Sequence, residues 1–248
     1  MRVLIATSEL HPYSKTGGLA DMVSALAKSL AAAGHQVGVV TPLYRSIWSK
    51  HRPERMDWWM DLPMGDRRLQ PEIWTLSPAI NLTIYFVQAL QYFDRDGIYG
   101  DSHAAYPDNT ERFIAFGKAV AHLARYLPWK PEIVHVHDWQ TGLVPLLIKH
   151  QGWREGVSPV PRTVMTIHNL AYQGVSGADA YRLTNLPPDY FHPGGMEFHG
   201  ALNLLKGGIV YSDAITTVSP RYAREITTPE FGERLDGVIR SRKEVLRG

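Results

Sequence analysis

The chain has 248 residues, 44% of them apolar and 20% charged, with a formal net charge of +2 and no cysteine. This composition suits a folded domain with a sizeable core, argues against disorder, and excludes disulfides and thiolate metal sites; the charge is too small and dispersed for a nucleic-acid surface. The apolar run Val3–Ala6 is shorter than a signal-peptide core, and no window reaches the roughly 18 to 20 apolar residues of a membrane helix, so a soluble cytoplasmic protein is expected.

In chain order, Val3 to Thr7 reads as a buried strand. Leu19, Met22, Val23, Leu26 and Leu30 then recur at helical spacing over Leu19 to Ala33, with Gly34 placed to end the helix. Val37 to Thr41 is the next strand, stopped by Pro42. This strand–helix–strand unit opens an α/β fold of the doubly wound parallel type. Residues 43 to 108 are less regular, with strands expected near Met56–Leu62, Glu72–Leu76 and Leu82–Val87. Asn109 or Thr110 is expected to cap a helix reaching about Tyr126, before Pro128 and Pro131. Ile133 to His137 is a strand, Thr141 to His150 a helix, and Thr163 to His168 a strand. A helix over about His199 to Tyr211 leads into a strand from Ala214 to Val218. Two helical pieces finish the chain, one after Ser219 and one over about Glu233 to Leu246. No repeat or linker interrupts residues 1–248, which read as one domain.

Several polar clusters follow strands, where open parallel sheets form their ligand crevice. Thr7-Ser8-Glu9 leads to Ser14-Lys15-Thr16-Gly17-Gly18-Leu19-Ala20-Asp21. Two glycines at a helix start let a ligand approach the backbone, and the helix N-terminus with Lys15 nearby suits a diphosphate. An ordinary Gly-rich turn with a solvated lysine fits the spacing equally well. The run is neither a P-loop nor a Gly-x-Gly-x-x-Gly fingerprint. Alternation puts His135 and His137 on one face of their strand, where packing as hydrogen-bonded side chains is favoured over metal ligation. At that strand's end, Asp138 suits a sugar hydroxyl and Trp139 the face of a sugar ring. His168 and Asn169 can each donate and accept hydrogen bonds, although such a pair also anchors loops. Asp94-Arg95-Asp96 has the Asp-x-Asp form of some metal sites but reads as a charged loop. Trp58-Trp59 reads as one inward ring and one at a rim. Asp213 to Pro220 reads as a strand followed by a helix cap.

Ser8-Glu9, the Lys15–Asp21 run, His137-Asp138-Trp139, Thr166-Ile167-His168-Asn169-Leu170-Ala171-Tyr172-Gln173-Gly174 and Ile215-Thr216-Thr217-Val218-Ser219-Pro220 stand in one order along the chain. In that order they resemble the bacterial glycogen synthases and plant starch synthases. The resemblance covers the whole chain but only the first half of the family's usual length. It implies a GT-B glycosyltransferase, in which two Rossmann-like domains face a cleft, with this chain as the N-terminal, acceptor-side domain. It implies transfer of glucose from ADP-glucose to the non-reducing end of an α-1,4-glucan, with retention and with neither cofactor nor obligatory metal. Carried over, Lys15 meets the donor phosphates, and the amides of Gly17 and Gly18 lie against the same group or the sugar. His168 contacts the transferred glucose and Asn169 supports it. Asp138, read with His168 as catalytic, and Trp139 line the cleft near the acceptor. Glu9 and Asp21 carry over as acceptor or donor-sugar contacts, and Phe93 as an aromatic contact to sugar. A C-terminal nucleotide-binding domain, in cis or in trans, is the expected partner, without which the chain would be inactive. A stand-alone glucan-binding module is the alternative. A plant source would imply a plastid, although no transit peptide is visible.

Overall fold

The computed structural model describes residues 1–248. Its main sheet contains nine strands. In chain order they are β1 (Arg2–Ala6), β2 (Gln36–Pro42), β3 (Glu54–Arg55), β4 (Glu72–Ala79), β5 (Leu82–Gln88), β6 (Ile133–His137), β7 (Arg162–Ile167), β8 (Ala214–Thr217) and β9 (Leu246–Arg247). Their spatial order is β9-β8-β7-β6-β1-β2-β5-β4-β3. Pairing is parallel from β9 through β5 and antiparallel at β5–β4 and β4–β3. The central strands are continuous apolar runs because both faces of a parallel sheet are covered. Leu4, Ile5, Val39, Val40, Val134 and Val136 are fully or almost fully buried.

The principal helices are α1 (Gly18–Ala32), α2 (Arg45–His51), α3 (Asn109–Tyr126), α4 (Val144–Glu155) and α5 (Leu204–Tyr211). Helix α1 packs on β2 and β5, whereas α3, α4 and α5 pack in succession against one another. The chain leaves β1 toward β2 on one side, then returns to place β6 on the other. The strand order therefore reverses between β1 and β6, and the crevice beyond their C-terminal ends is where such sheets bind ligands. No helix is long and apolar enough to cross a membrane.

The alternating pattern is as the sequence predicts, with local differences. Residues 56–61 form no strand; strand structure resumes at Leu62–Met64, in a hairpin with Arg67–Leu69. Met60 is buried and Trp58 packs against the core while Trp59 is 75% exposed, so alternate residues still face inward without a ladder. The helix expected from His199 begins at Leu204. Before it, Glu197–Phe198 and Ala201–Asn203 form a small antiparallel pair that turns through His199 and Gly200, both at positive φ. Asn203 caps α5 by accepting from the Lys206 N–H.

Neither Asn109 nor Thr110 caps α3. Asn109 already lies in the helix, its amide donating to the Tyr99 carbonyl at 2.7 Å. The helix expected from Thr141 starts at Val144, after a 3₁₀ turn over Trp139–Thr141, and extends to Glu155. The last helical piece is broken into Asp236–Arg240 and Lys243–Val245, and Leu246 enters the sheet beside β8. Phe93 is buried against Phe113, Phe116 and Tyr44, so it is a core residue and not a sugar contact. Asp94 and Asp96 both accept from Arg45, at 2.8 and 2.7 Å. As expected, β8 is followed by a cap in which Ser219 Oγ accepts from the Tyr222 N–H.

Candidate active site

A cavity of about 730 Å³ opens beyond the C-terminal ends of β1, β6 and β7. Of the predicted site residues, Glu9, Gly17, Gly18, Asp138, Trp139, His168 and Asn169 line it. Lys15 and Asp21 lie outside its lining. They pair with each other, Nζ to Oδ2 at 2.6 Å, with both side chains about half exposed. That bond from Lys15 holds the Asp21 carboxyl below its usual range. An exposed pair of this kind is weakly held by solvent-screened attraction, so Lys15 can be redirected to another anion.

Glu9 organises the loop before α1. Its carboxylate accepts from the Thr16 N–H at 2.5 Å, Thr16 Oγ1 at 2.7 Å, the Gly17 N–H at 3.2 Å and Tyr99 Oη at 2.7 Å. Because the Tyr99 hydroxyl donates to Glu9, its 2.7 Å contact with Ser8 Oγ is one in which serine donates. The Gly17 amide is therefore not free for a ligand, contrary to the sequence-based expectation. The N–H groups of Gly18 and Leu19, in the first turn of α1, have no protein acceptor. Both residues line the cavity. A Cβ added at Gly17 or Gly18 would meet nothing within 4 Å, and neither glycine has a positive φ. Their lack of side chains serves the open space in front of them and not the packing behind. Gly18→Ala is accordingly expected to raise stability by ~0.4–1 kcal/mol in thermal unfolding, because it restricts the unfolded chain at an unstrained position. A loss of stability would show that the loop itself requires the glycine.

Asp138 adopts φ 55° and ψ −175°, a conformation rarely held by any residue but glycine and costing ~1–3 kcal/mol. Its buried Oδ1 accepts from the backbone N–H of His168 at 2.7 Å and of Asn169 at 3.4 Å. The carboxylate thus ties the end of β6 to the end of β7. Burial raises its pKa to about 7, and the nearby Glu9 charge adds to this; the two N–H donors oppose it. Asn169 Oδ1 accepts from the Ala171 N–H at 3.0 Å and holds the turn. His168 Nε2 lies 3.1 Å from His137 Nδ1. Burial pulls His168 down to about 4, so its imidazole is neutral near pH 7. His135 and His137 do share a face, with ring centroids 4.3 Å apart, and His135 Nε2 bonds Thr166 Oγ1 at 2.6 Å.

Trp139 packs edge-on against Phe113, at 5.1 Å between centroids. Gly174, at positive φ, also lies against the indole; a Cβ there would come within 2.3 Å of the ring. A more open groove of about 580 Å³, also lined by Trp139 and Tyr172, extends to Phe198 and Arg234.

Among the lining residues outside the predicted set, Tyr99 and Gln140 bring polar side chains to the cavity. Tyr99 comes from the irregular segment, 90 residues from its partner Glu9, and no local pattern marks it. Gln140 directly follows Trp139; it is buried, and its Oε1 has no partner. Its position in the Asp138-Trp139-Gln140 run was the available signal. Helix-start amides without a protein acceptor, a partly exposed indole and a neutral imidazole line one cavity, with a surface lysine near its edge, and together suit a ligand that is both anionic and polyhydroxylated.

Residues 2–241 match the family model described as the starch synthase catalytic domain. The chain is 42% identical over its whole length to a glycogen synthase of Opitutus terrae, of which it covers 52%. It is 44% identical over its whole length to one of Anaeromyxobacter sp., of which it covers 51%. The chain therefore spans about half the length of the curated relatives it matches. Among solved structures, the catalytic domain of starch synthase IV from Arabidopsis thaliana bound to ADP and acarbose superposes with a TM-score of 0.87 at 30% identity. That match covers 99% of this chain and 50% of the other. The curated relatives named are bacterial, and nothing in them supports the plastid alternative.

Proposed function

Because the chain belongs to the starch synthase catalytic-domain family, which includes bacterial glycogen synthases, we propose that its cleft is one wall of a glucosyl-transfer site. The reaction we assign is transfer of glucose from ADP-glucose to the non-reducing end of an α-1,4-glucan, with retention at the anomeric carbon. The observation that carries this reading is the open space before Gly17 and Gly18, with the unpartnered Gly18 and Leu19 amides facing the same cavity as His168. ADP and acarbose in the Arabidopsis relative support it, one matching the donor's nucleotide and the other a glucan.

In this reading the Gly18 and Leu19 amides and Lys15 stabilise the charge that builds on the leaving diphosphate. His168 meets the transferred glucose, whose anomeric carbon develops oxocarbenium character. Asp138 acts by holding His168 and Asn169 in place, a narrower role than direct contact. The groove past Trp139 takes the acceptor glucan. The facing wall, with most of the nucleotide pocket, comes from the remaining length found in the relatives, a C-terminal domain in cis or in trans.

Replacing Lys15 by alanine in the complete synthase tests the donor side. The KM for ADP-glucose is expected to rise roughly ten- to a hundredfold, the scale of one lost charge-assisted contact, with affinity for maltooligosaccharide unchanged. Unchanged kinetics would remove Lys15 from the phosphate site. Glucan binding with no response to ADP-glucose would favour a binding module instead.

A further inference from the structure

His137 is fully buried at the end of β6, and its two ring nitrogens have different fates. Nδ1 lies 3.1 Å from His168 Nε2. Nε2 is buried with no hydrogen-bond partner. The contact between the rings needs one proton, which either nitrogen can carry. If His168 Nε2 carried it, a neutral His137 would hold its own proton on Nε2, stranding an N–H donor where nothing accepts it. If His137 Nδ1 carries it, Nε2 is left with a lone pair that accepts no hydrogen bond. A buried donor without an acceptor is the rarer and more costly defect. A second proton on His137 is disfavoured by burial and by the His135 and His168 rings beside it.

We propose that His137 is a positioning residue that donates from Nδ1 to His168 Nε2 and so fixes His168 as the Nδ1–H tautomer. His168 Nδ1 has no protein partner and belongs to a residue lining the cleft, which therefore receives a donor from this imidazole and not an acceptor. Thr166 Oγ1 bonds both His135 Nε2 and Thr216 Oγ1, at 2.6 Å each, and so steadies the ring stacked on His137. Which sugar oxygen receives the His168 proton rests on the glucosyl-transfer reading. The tautomer itself does not, because it is a property of the ligand-free protein.

The test is two-bond ¹H–¹⁵N correlation spectroscopy of ¹⁵N-histidine-labelled protein near pH 7 without ligand, with His168 assigned by its loss in His168→Gln. The expected pattern is Nδ1–H for His168 in the wild type. In His137→Leu, His168 should relax toward the solution mixture, with Nε2–H appearing, while the far-ultraviolet circular dichroism stays native. An Nε2–H pattern for wild-type His168 overturns the proposal, and this result needs no variant at position 137. An Nδ1–H pattern unchanged in folded His137→Leu also overturns it, since His137 would then not be the cause. Because no sugar or nucleotide is present, failure of the transfer reading leaves this result standing, and the reverse.

Discussion

Asp138→Asn is expected to be more stable than the wild type at pH 8, by ~2–4 kcal/mol in urea unfolding, and to lose that advantage near pH 4. The wild-type carboxyl has its pKa raised from the ordinary 3.8 to about 7, chiefly by burial. A raised pKa means that the native state holds the proton more tightly than the unfolded chain. The stabilisation is complete below about pH 4 and is lost as the pH rises through about 7; a shift of this size corresponds to ~4 kcal/mol. Asparagine stays neutral throughout, offers an oxygen to the His168 N–H, and has the shape of aspartate, so the backbone strain at this position is common to both proteins. Comparing variant with wild type at each pH cancels the buried histidines, whose pKa values are also displaced. A stability difference independent of pH would contradict the assignment of a buried, proton-binding carboxyl. In the complete synthase the same variant should turn over more slowly, since strained and destabilising groups at a cleft tend to serve activity.

Glu9→Ala is expected to destabilise the protein by ~2–4 kcal/mol, as one change removes a buried carboxylate that accepts four part-buried, charge-assisted hydrogen bonds. It removes the acceptor for the Thr16 and Gly17 amides, the Thr16 hydroxyl and the Tyr99 hydroxyl together. Hydrogen exchange should accelerate at Thr16 and Gly17 before the rest of α1, because those two N–H groups bond the carboxylate and not the helix. A loss below about 1 kcal/mol, with both amides still protected, would show that another group holds the loop. Under the proposed donor site the variant also separates two roles: Glu9 holds the Thr16–Gly17 turn that precedes Gly18 and Leu19, so its loss should weaken donor binding without direct contact.

The parallel strands were legible along the chain because buried strands are short apolar runs ended by Pro, Gly or a polar cluster, whereas their order across the sheet was not. Val3–Thr7, Val37–Thr41 and Ile133–His137 fall within a residue or so of β1, β2 and β6. The differences arose where tertiary contacts replace local preference. Residues 56–61 bury alternate side chains without pairing, and Gly200 turns a hairpin where helical spacing continues through the sequence. Leu246 enters the sheet because β8 offers it an edge, which no local pattern announces. At the site, motif order brought together the right strand ends, but it did not show how hydrogen bonds are allotted among them. The Gly17 amide belongs to Glu9, Asp138 to the backbone of His168, and Tyr99 joins from 90 residues away. Such assignments depend on three-dimensional proximity between segments that are silent about one another.

The most direct test of the glucosyl-transfer cleft is ADP release from ADP-glucose with a maltooligosaccharide acceptor. It is measured on the chain alone and on the chain completed by the remaining length of a family synthase, each as wild type and as Gly18→Val. Valine fills the open space before the Gly18 and Leu19 amides without meeting the protein around its Cβ. The completed wild type should couple ADP release to glucan extension, the chain alone should be far slower, and Gly18→Val should fall about a hundredfold or more with its melting temperature preserved, the scale of losing preorganised charge stabilisation. Equal turnover by wild type and a folded Gly18→Val, or glucan binding with no ADP release from the completed enzyme, would contradict the account.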